Sequence, residues 1–282
     1  MPRIAYVNGR YVAHRKASVH IEDRGYQFAD GVYEVVPVFN GHLVDEEPHL
    51  DRLDYSLGEL RIAPPCSRAT IRFVCREMLQ RNSLRRGILY IQVTRGVAPR
   101  DHKFPVAAKS ALVVTTKNYG GPTARLIEEG ARVITIPDIR WGRCDIKSVS
   151  LLPNVLGKQQ ATVQGAFEAW MVDRDGNVTE GTSTNSWIVT ADKRVITRQL
   201  SAAILAGITR ASLFKLIAAD NYKLEERPFT LAEAKAAAEA FLTSSTSLVL
   251  PVTKIDDTRI GDGKPGPMTR KLREVMLAYV SK

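Results

Sequence analysis

Lys147 stands in Asp145-Ile146-Lys147-Ser148, between an apolar run, Val133 to Ile136, that reads as a buried strand and a helical pattern over Leu151 to Gln164. A lysine at such a junction lies near the interior, where its ammonium loses hydration. Desolvation favours the neutral amine, the form that acts as nucleophile or base. Most lysines are solvated surface charges, so this position gains weight only from its company. Gly207-Ile208-Thr209-Arg210 precedes the apolar pattern Leu213, Leu216, Ile217. A glycine before the free backbone N–H groups of a helix start makes an anion site. Arg100 and His102 alternate in an extended loop and can converge on one anion while Asp101 points off. A polar surface loop is the plainer alternative. Glu180, in Val178-Thr179-Glu180-Gly181, reads by itself as a turn glutamate between strands. Thr243 to Ser247 is a hydroxyl cluster that local backbone bonds alone would explain. Arg52 lies on a predicted helix, where the common outcome is an exposed partner for Glu47 or Ser56.

Elements to hold these residues are readable around them. Ile4 to Val12 predicts a hairpin turned at Asn8-Gly9, and Val32 to Val44 repeats the device at Asn40-Gly41. Pro37 inside the second implies an edge strand or a bulge. Leu50, Leu53, Leu57 and Leu60 mark one face of a helix over Glu46 to Leu60, and Ser67 caps a second ending near Arg81. Ile88 to Thr94 and Ala111 to Thr116 predict buried strands. This makes a first α+β domain over residues 1–117, a linker over 118–124 around Gly120-Gly121-Pro122, and a second domain over 125–282. In the second, strands are expected at Val133 to Ile136, Glu168 to Asp173, Ser186 to Thr190 and Glu239 to Thr243. Helices are expected at Leu151 to Gln164, Thr209 to Asp220, Leu231 to Ala237 and Pro267 to Tyr279.

The composition narrows the class. A chain of 282 residues can bury a sizeable core, and its 44% hydrophobic and 25% charged content is that of a soluble globular protein. No apolar run approaches the roughly 20 residues that span a bilayer. The start, Met1-Pro2-Arg3-Ile4, carries no apolar leader core. Three cysteines at wide spacing, Cys66, Cys75 and Cys144, fit a reducing cytoplasm without a disulfide framework, and no Cys/His pair has metal-ligand spacing. The net charge of +10 comes from 40 basic and 30 acidic residues that are scattered. The densest basic cluster, Arg81 to Arg86, lacks interleaved aromatics. A solvated basic surface is therefore preferred over a nucleic-acid module.

Taken in order, Glu22-Asp23-Arg24-Gly25-Tyr26-Gln27-Phe28, Asp30-Gly31-Val32-Tyr33-Glu34, His49-Leu50-Asp51-Arg52-Leu53, Thr94-Arg95-Gly96, Arg100-Asp101-His102, Asp145-Ile146-Lys147-Ser148, Thr179-Glu180-Gly181, Gly207-Ile208-Thr209-Arg210 and Thr243-Ser244-Ser245-Thr246-Ser247 resemble the pyridoxal-phosphate (PLP) aminotransferases of fold type IV. The resemblance covers essentially the whole chain and is closest to the D-amino acid branch. It implies an α+β fold of two domains, a smaller N-terminal α/β domain and a larger C-terminal pseudo-barrel that binds PLP. It implies Lys147 as the Schiff-base lysine and Glu180 as the carboxylate facing the pyridine nitrogen. Arg52, Ile208, Thr209, Ser245 and Thr246 would be phosphate-side groups. Tyr33 would line the pocket, and Arg100 and His102 would trap the substrate carboxylate. The implied reaction passes the amino group of a D-amino acid, D-alanine, to 2-oxoglutarate, giving pyruvate and D-glutamate. The implied assembly is a cytoplasmic homodimer with its site near the subunit interface, acting on small molecules, with no nucleic acid, membrane or metal. An (R)-amine or branched-chain aminotransferase is the alternative within the fold, and branched-chain enzymes lack the Arg-x-His. Pro153 and Asn154 depart from the small residues expected beside that helix start.

Overall fold

The computed structural model describes residues 3–219 and 223–282. Met1, Pro2 and the Asp220 end of one predicted helix lie outside them. The chain divides into two compact units. The first runs to Gly120 and takes in Ile146–Ser150; the second comprises Gly121–Asp145 and Leu151–Lys282. The short return at 146–150 departs from the sequence-based expectation, which keeps those residues inside a continuous 125–282 domain.

The first unit holds β1 (Ile4–Val7), β2 (Arg10–Ala13), α1 (Arg24–Phe28), β3 (Gly31–Phe39), β4 (His42–Leu43), α2 (Glu46–Glu59), α3 (Arg68–Arg81), β5 (Gly87–Thr94) and β6 (Ala111–Asn118). Its six strands form an antiparallel sheet in the order β2-β1-β6-β5-β3-β4. Both predicted hairpins close as expected: Asn8 and Gly9, then Asn40 and Gly41, all take positive φ, as a type I′ turn needs. The Pro37 carbonyl accepts from Val44 N–H. Its missing N–H therefore faces the side of short β4, while pairing with β5 runs unbroken from Gly31 to Val38. Ser67 caps α3 by accepting from Thr70 N–H. Val32, Val36 and Val38 pack with Leu50, Leu53 and Leu57 of α2 and Val74 and Met78 of α3 in one core.

The second unit holds α4 (Ala124–Glu129), β7 (Ala131–Pro137), α5 (Leu152–Val163), β8 (Glu168–Val172), β9 (Val178–Gly181), β10 (Asn185–Val189), β11 (Arg194–Thr197), α6 (Ile208–Ala219), β12 (Lys223–Glu226), α7 (Leu231–Ala236), β13 (Glu239–Ser244), β14 (Leu248–Ile255), β15 (Thr258–Arg259) and α8 (Pro267–Val280). The sheet order is β12-β11-β10-β13-β14-β7-β8-β9, with β15 on β14. β9 ends that order, yet only residues 182–184 join it to β10 near the other end. So short a link requires the sheet to curl round on itself, which gives the pseudo-barrel. Trp170, Val178, Ile188, Ile196, Phe229, Leu242, Leu250 and Ile255 form one buried core of this unit, all but dry. Among the described residues, no helix is long and apolar enough to cross a membrane.

Candidate active site

In the first unit, the Lys147 segment runs alongside the start of β3, on the edge that β5 leaves open. Tyr33 N–H donates to the Lys147 carbonyl (3.0 Å) and Val149 N–H to the Gly31 carbonyl (3.0 Å), while Lys147 N–H donates to Ser56 Oγ on α2 (3.2 Å). The backbone of residue 147 is thus held on both sides. Its side chain is half-buried, less enclosed than a site inside a buried strand–helix junction implied. The Nζ sits 4.2 Å from the centroid of the Tyr33 ring, and Tyr33 stacks on Tyr90 (5.6 Å). Tyr90 donates its hydroxyl to Gln92 Oε1 (2.7 Å), and burial raises its pKa, so it stays a neutral donor.

Arg52 is not an exposed helix partner for Glu47 or Ser56. It shares the buried face of α2 with His49, Leu53 and Ser56 and is 8% exposed. Its Nε and Nη2 donate to the two oxygens of Glu34 at 2.8 Å each, and His49 Nδ1 bonds the same carboxylate at 2.7 Å. Although burial opposes ionisation, Arg52 and His49 hold the Glu34 carboxyl down to about 2. Burial keeps the His49 pKa below its ordinary value, so the ring is a neutral donor. Sequence pattern did not single out Glu34. It stands in phase with Val32, Val36 and Val38 on the inward face of β3, and a charge in step with an apolar stripe was the available clue.

Arg100 and His102 lie on an exposed loop and meet at Phe28. The Arg100 guanidinium is 4.6 Å from that ring's centroid and the His102 ring 5.3 Å. Asp101 turns instead to Lys103, accepting from its N–H at 3.3 Å. The alternation read in the sequence places the two side chains on a common side.

In the second unit, Glu180 at the end of β9 is 5% exposed. One oxygen takes a short bond from Arg140 Nη1, the other accepts from Asn185 Nδ2 (3.0 Å), and Leu205 N–H reaches both (3.2 Å each). Arg140 is fixed in turn by Asp138 (2.7 and 3.0 Å) and the Ala203 carbonyl (3.0 Å), and Thr179 donates to Asp138 (2.7 Å). Burial pushes the Glu180 carboxyl up, against the pull of Arg140 and the Leu205 N–H. Arg140 resists burial through Asp138 and the Glu180 charge and stays a cation. Glu180 is therefore a buried, anchored carboxyl rather than a solvated turn residue. The Arg140–Asp138 pair behind it left no trace in local sequence pattern.

Helix α6 begins at Ile208, and Ile208 and Thr209 supply N–H groups of its first turn, with no backbone partner within the helix. A side chain at Gly207 would run into Asn185 Oδ1, so the chain passes close to the Glu180 anchor there. Arg210 instead pairs with Glu226 (2.8 Å) and the Arg198 carbonyl (3.0 Å). Ser245 and Thr246 are half-buried in the turn between β13 and β14. Ser244 bonds Ser247 N–H (3.0 Å) and Thr246 (3.2 Å), and Thr243 accepts from Trp187 Nε1 (3.0 Å). At the start of α5, Asn154 donates to the Thr182 carbonyl (2.8 Å).

Residues 31–255 match the family described as amino-transferase class IV. The chain belongs to the class IV aminotransferases. D-alanine aminotransferase of Bacillus licheniformis is 42% identical over 95% of this chain and 94% of its own length. That of Staphylococcus aureus (strain N315) is 39% identical over 98% and 97%. Among solved structures, the T.th. branched-chain amino acid aminotransferase with pyridoxamine 5′-phosphate superposes with a TM-score of 0.92 at 24% identity, covering 100% of this chain and 95% of that one. At that identity the likeness speaks for the fold. Class IV aminotransferases use PLP, and the residues present suit it: a half-buried amine on an aromatic face, a buried anchored carboxyl, and a helix start bearing N–H groups.

Proposed function

We propose that this class IV aminotransferase transfers the amino group of a D-amino acid, D-alanine first, to a 2-oxo acid such as 2-oxoglutarate, giving pyruvate and D-glutamate. Bound PLP supplies a ring that accepts the electron pair developing at the substrate Cα. Lys147 would hold the cofactor through its Nζ and, once released, is the base placed to take the proton from the substrate Cα. Tyr33, against its Nζ, limits where that amine can swing. Glu180 would accept from the pyridine N–H of the bound cofactor and keep that nitrogen protonated. Its anchoring by Arg140, Asn185 and Leu205 means no rearrangement is needed when charge develops. Arg52, oriented by Glu34, together with Ile208, Thr209, Ser245 and Thr246, serves the phosphate. The enzyme works as a cytoplasmic homodimer.

The observation that carries the D-amino acid reading is the meeting of Arg100 and His102 at Phe28. A guanidinium and an imidazole on one ring can grip a carboxylate at two points. That grip fixes which face of Cα the base meets. The test is a panel of D- and L-amino acids against the PLP-loaded protein, following bleaching of the visible band. D-alanine should bleach it and L-leucine should not. The opposite pattern would refute the reading.

A further inference from the structure

Arg100 and His102 belong to a loop without regular structure, and something must hold their backbone still. Arg24, the first residue of α1, is 3% exposed, and its guanidinium reaches under that loop. Its Nη1 donates to the carbonyls of Asp101 (2.6 Å) and Lys103 (3.2 Å), so two anchor points bracket His102. Its Nε donates to Asp30 (2.8 Å). The same guanidinium lies 4.8 Å from the centroid of Phe28, the ring that Arg100 and His102 also touch. A second arginine fastens the far end: Arg95 packs 3.7 Å from the Phe104 ring centroid and donates to the same Asp30 carboxylate (2.7 and 3.0 Å). Arg95 is itself fixed to the carbonyls of Leu60 and Arg61 at 2.8 Å each. One carboxylate thus orients two arginines that grip opposite ends of residues 101–104.

We propose that Arg24, oriented by Asp30, is the positioning residue for the substrate-carboxylate loop, acting through the backbone of Asp101 and Lys103 rather than by touching substrate. The inference rests on the reading of Arg100 and His102 given above. The guanidinium fork is what the geometry uses: one nitrogen spans two carbonyls while another holds Asp30. A lysine could keep the charge but not all three bonds. Losing the clamp lets the loop wander and weakens the grip on amino and keto acids alike, while the chemistry at Lys147 proceeds once substrate is bound.

The experiment uses PLP-loaded enzyme and compares Arg24→Met, Arg24→Lys, the Arg100→Ala/His102→Ala pair, and that pair combined with Arg24→Met. Arg24→Met should raise KM for D-alanine and for 2-oxoglutarate about tenfold with kcat within about twofold. Arg24→Lys should fall between Met and the native residue, and remains informative if the Met variant folds poorly. In the background lacking Arg100 and His102, Arg24→Met should add nothing further, because two residues acting through one device are not additive. Tryptic cleavage after Lys103 should quicken in the Arg24 variants, a readout independent of turnover. If loss of Arg100 and His102 raises KM but Arg24→Met does not, or if the effects simply multiply, Arg24 has no positioning role. If loss of Arg100 and His102 leaves KM unchanged, the carboxylate reading itself has failed.

Discussion

Replacing Glu34 with glutamine would remove one charge from the first unit and leave the shape intact. The cost can be worked two ways. A carboxyl held at about 2 against an ordinary 4.5 corresponds to on the order of 3 kcal/mol of charge-dependent stability at neutral pH. Independently, neutralising one member of a buried pair weakens the hold on the Arg52 guanidinium, and breaking such a pair typically costs about 3–5 kcal/mol. At roughly 3 °C per kcal/mol for a chain of this size, melting should fall by roughly 10 °C. The pH dependence follows from the sign of the shift. Glu34 titrates lower in the folded state, so its contribution is complete above 4.5 and is lost as pH falls through about 2. The deficit of Glu34→Gln should stay flat from neutral pH down to that upper value and shrink below it. Urea unfolding of the protein stripped of PLP, followed by far-ultraviolet circular dichroism at a series of pH values, measures this directly. A variant within about 1 kcal/mol of the native protein at neutral pH, or a deficit that does not shrink in acid, would refute the account.

Lys147→Ala should abolish turnover, and borohydride should then fail to fix the cofactor's mass to the peptide that carried it; near-normal rates would remove Lys147 from the mechanism. Glu180→Gln should slow Cα proton removal by about a hundredfold or more in single-turnover half-reactions while weakening cofactor binding far less, since it discharges the group facing the pyridine nitrogen. Unchanged half-reaction rates would contradict that. Arg100→Ala should raise KM for amino and keto acids together with little change in kcat, as read from steady-state kinetics. Gly207→Ala should drive Asn185 off Glu180, because a Cβ at 207 occupies the space of its amide oxygen. A reduced affinity of the stripped protein for PLP, measured by titration, is the expected sign.

Local chemistry made much of the first unit legible. Asn8-Gly9 and Asn40-Gly41 announced their turns because few residue pairs tolerate two positive φ angles in succession, and Ser67 announced a helix start through its side-chain oxygen. β14 escaped notice because Pro251 interrupts Leu248–Ile255. The structure accommodates that proline because pairing with β7 begins only at Val252, one residue later. β9 reads as a turn in the sequence because four residues carry too short a pattern to display alternation. The candidate site divides in the same way. Lys147, Glu180, Arg100 and His102 stood out through resemblance and spacing. The groups that brace them did not, because Glu34 reaches Arg52 across 18 positions and Arg140 reaches Glu180 across 40. Bracing of this kind depends on tertiary proximity, which periodicity does not encode.

The five residues at 146–150 count with the first unit although the chain on either side of them counts with the second. A gene segment ending at Gly120 would therefore encode a sheet whose Tyr33 amide has lost its acceptor and whose core lacks Ile146. Recombination that traded this N-terminal module between relatives would import its tyrosine and arginines but leave the amine behind. Inheritance of the two pieces is consequently tied together, and a successful chimera would need a second crossover flanking Lys147.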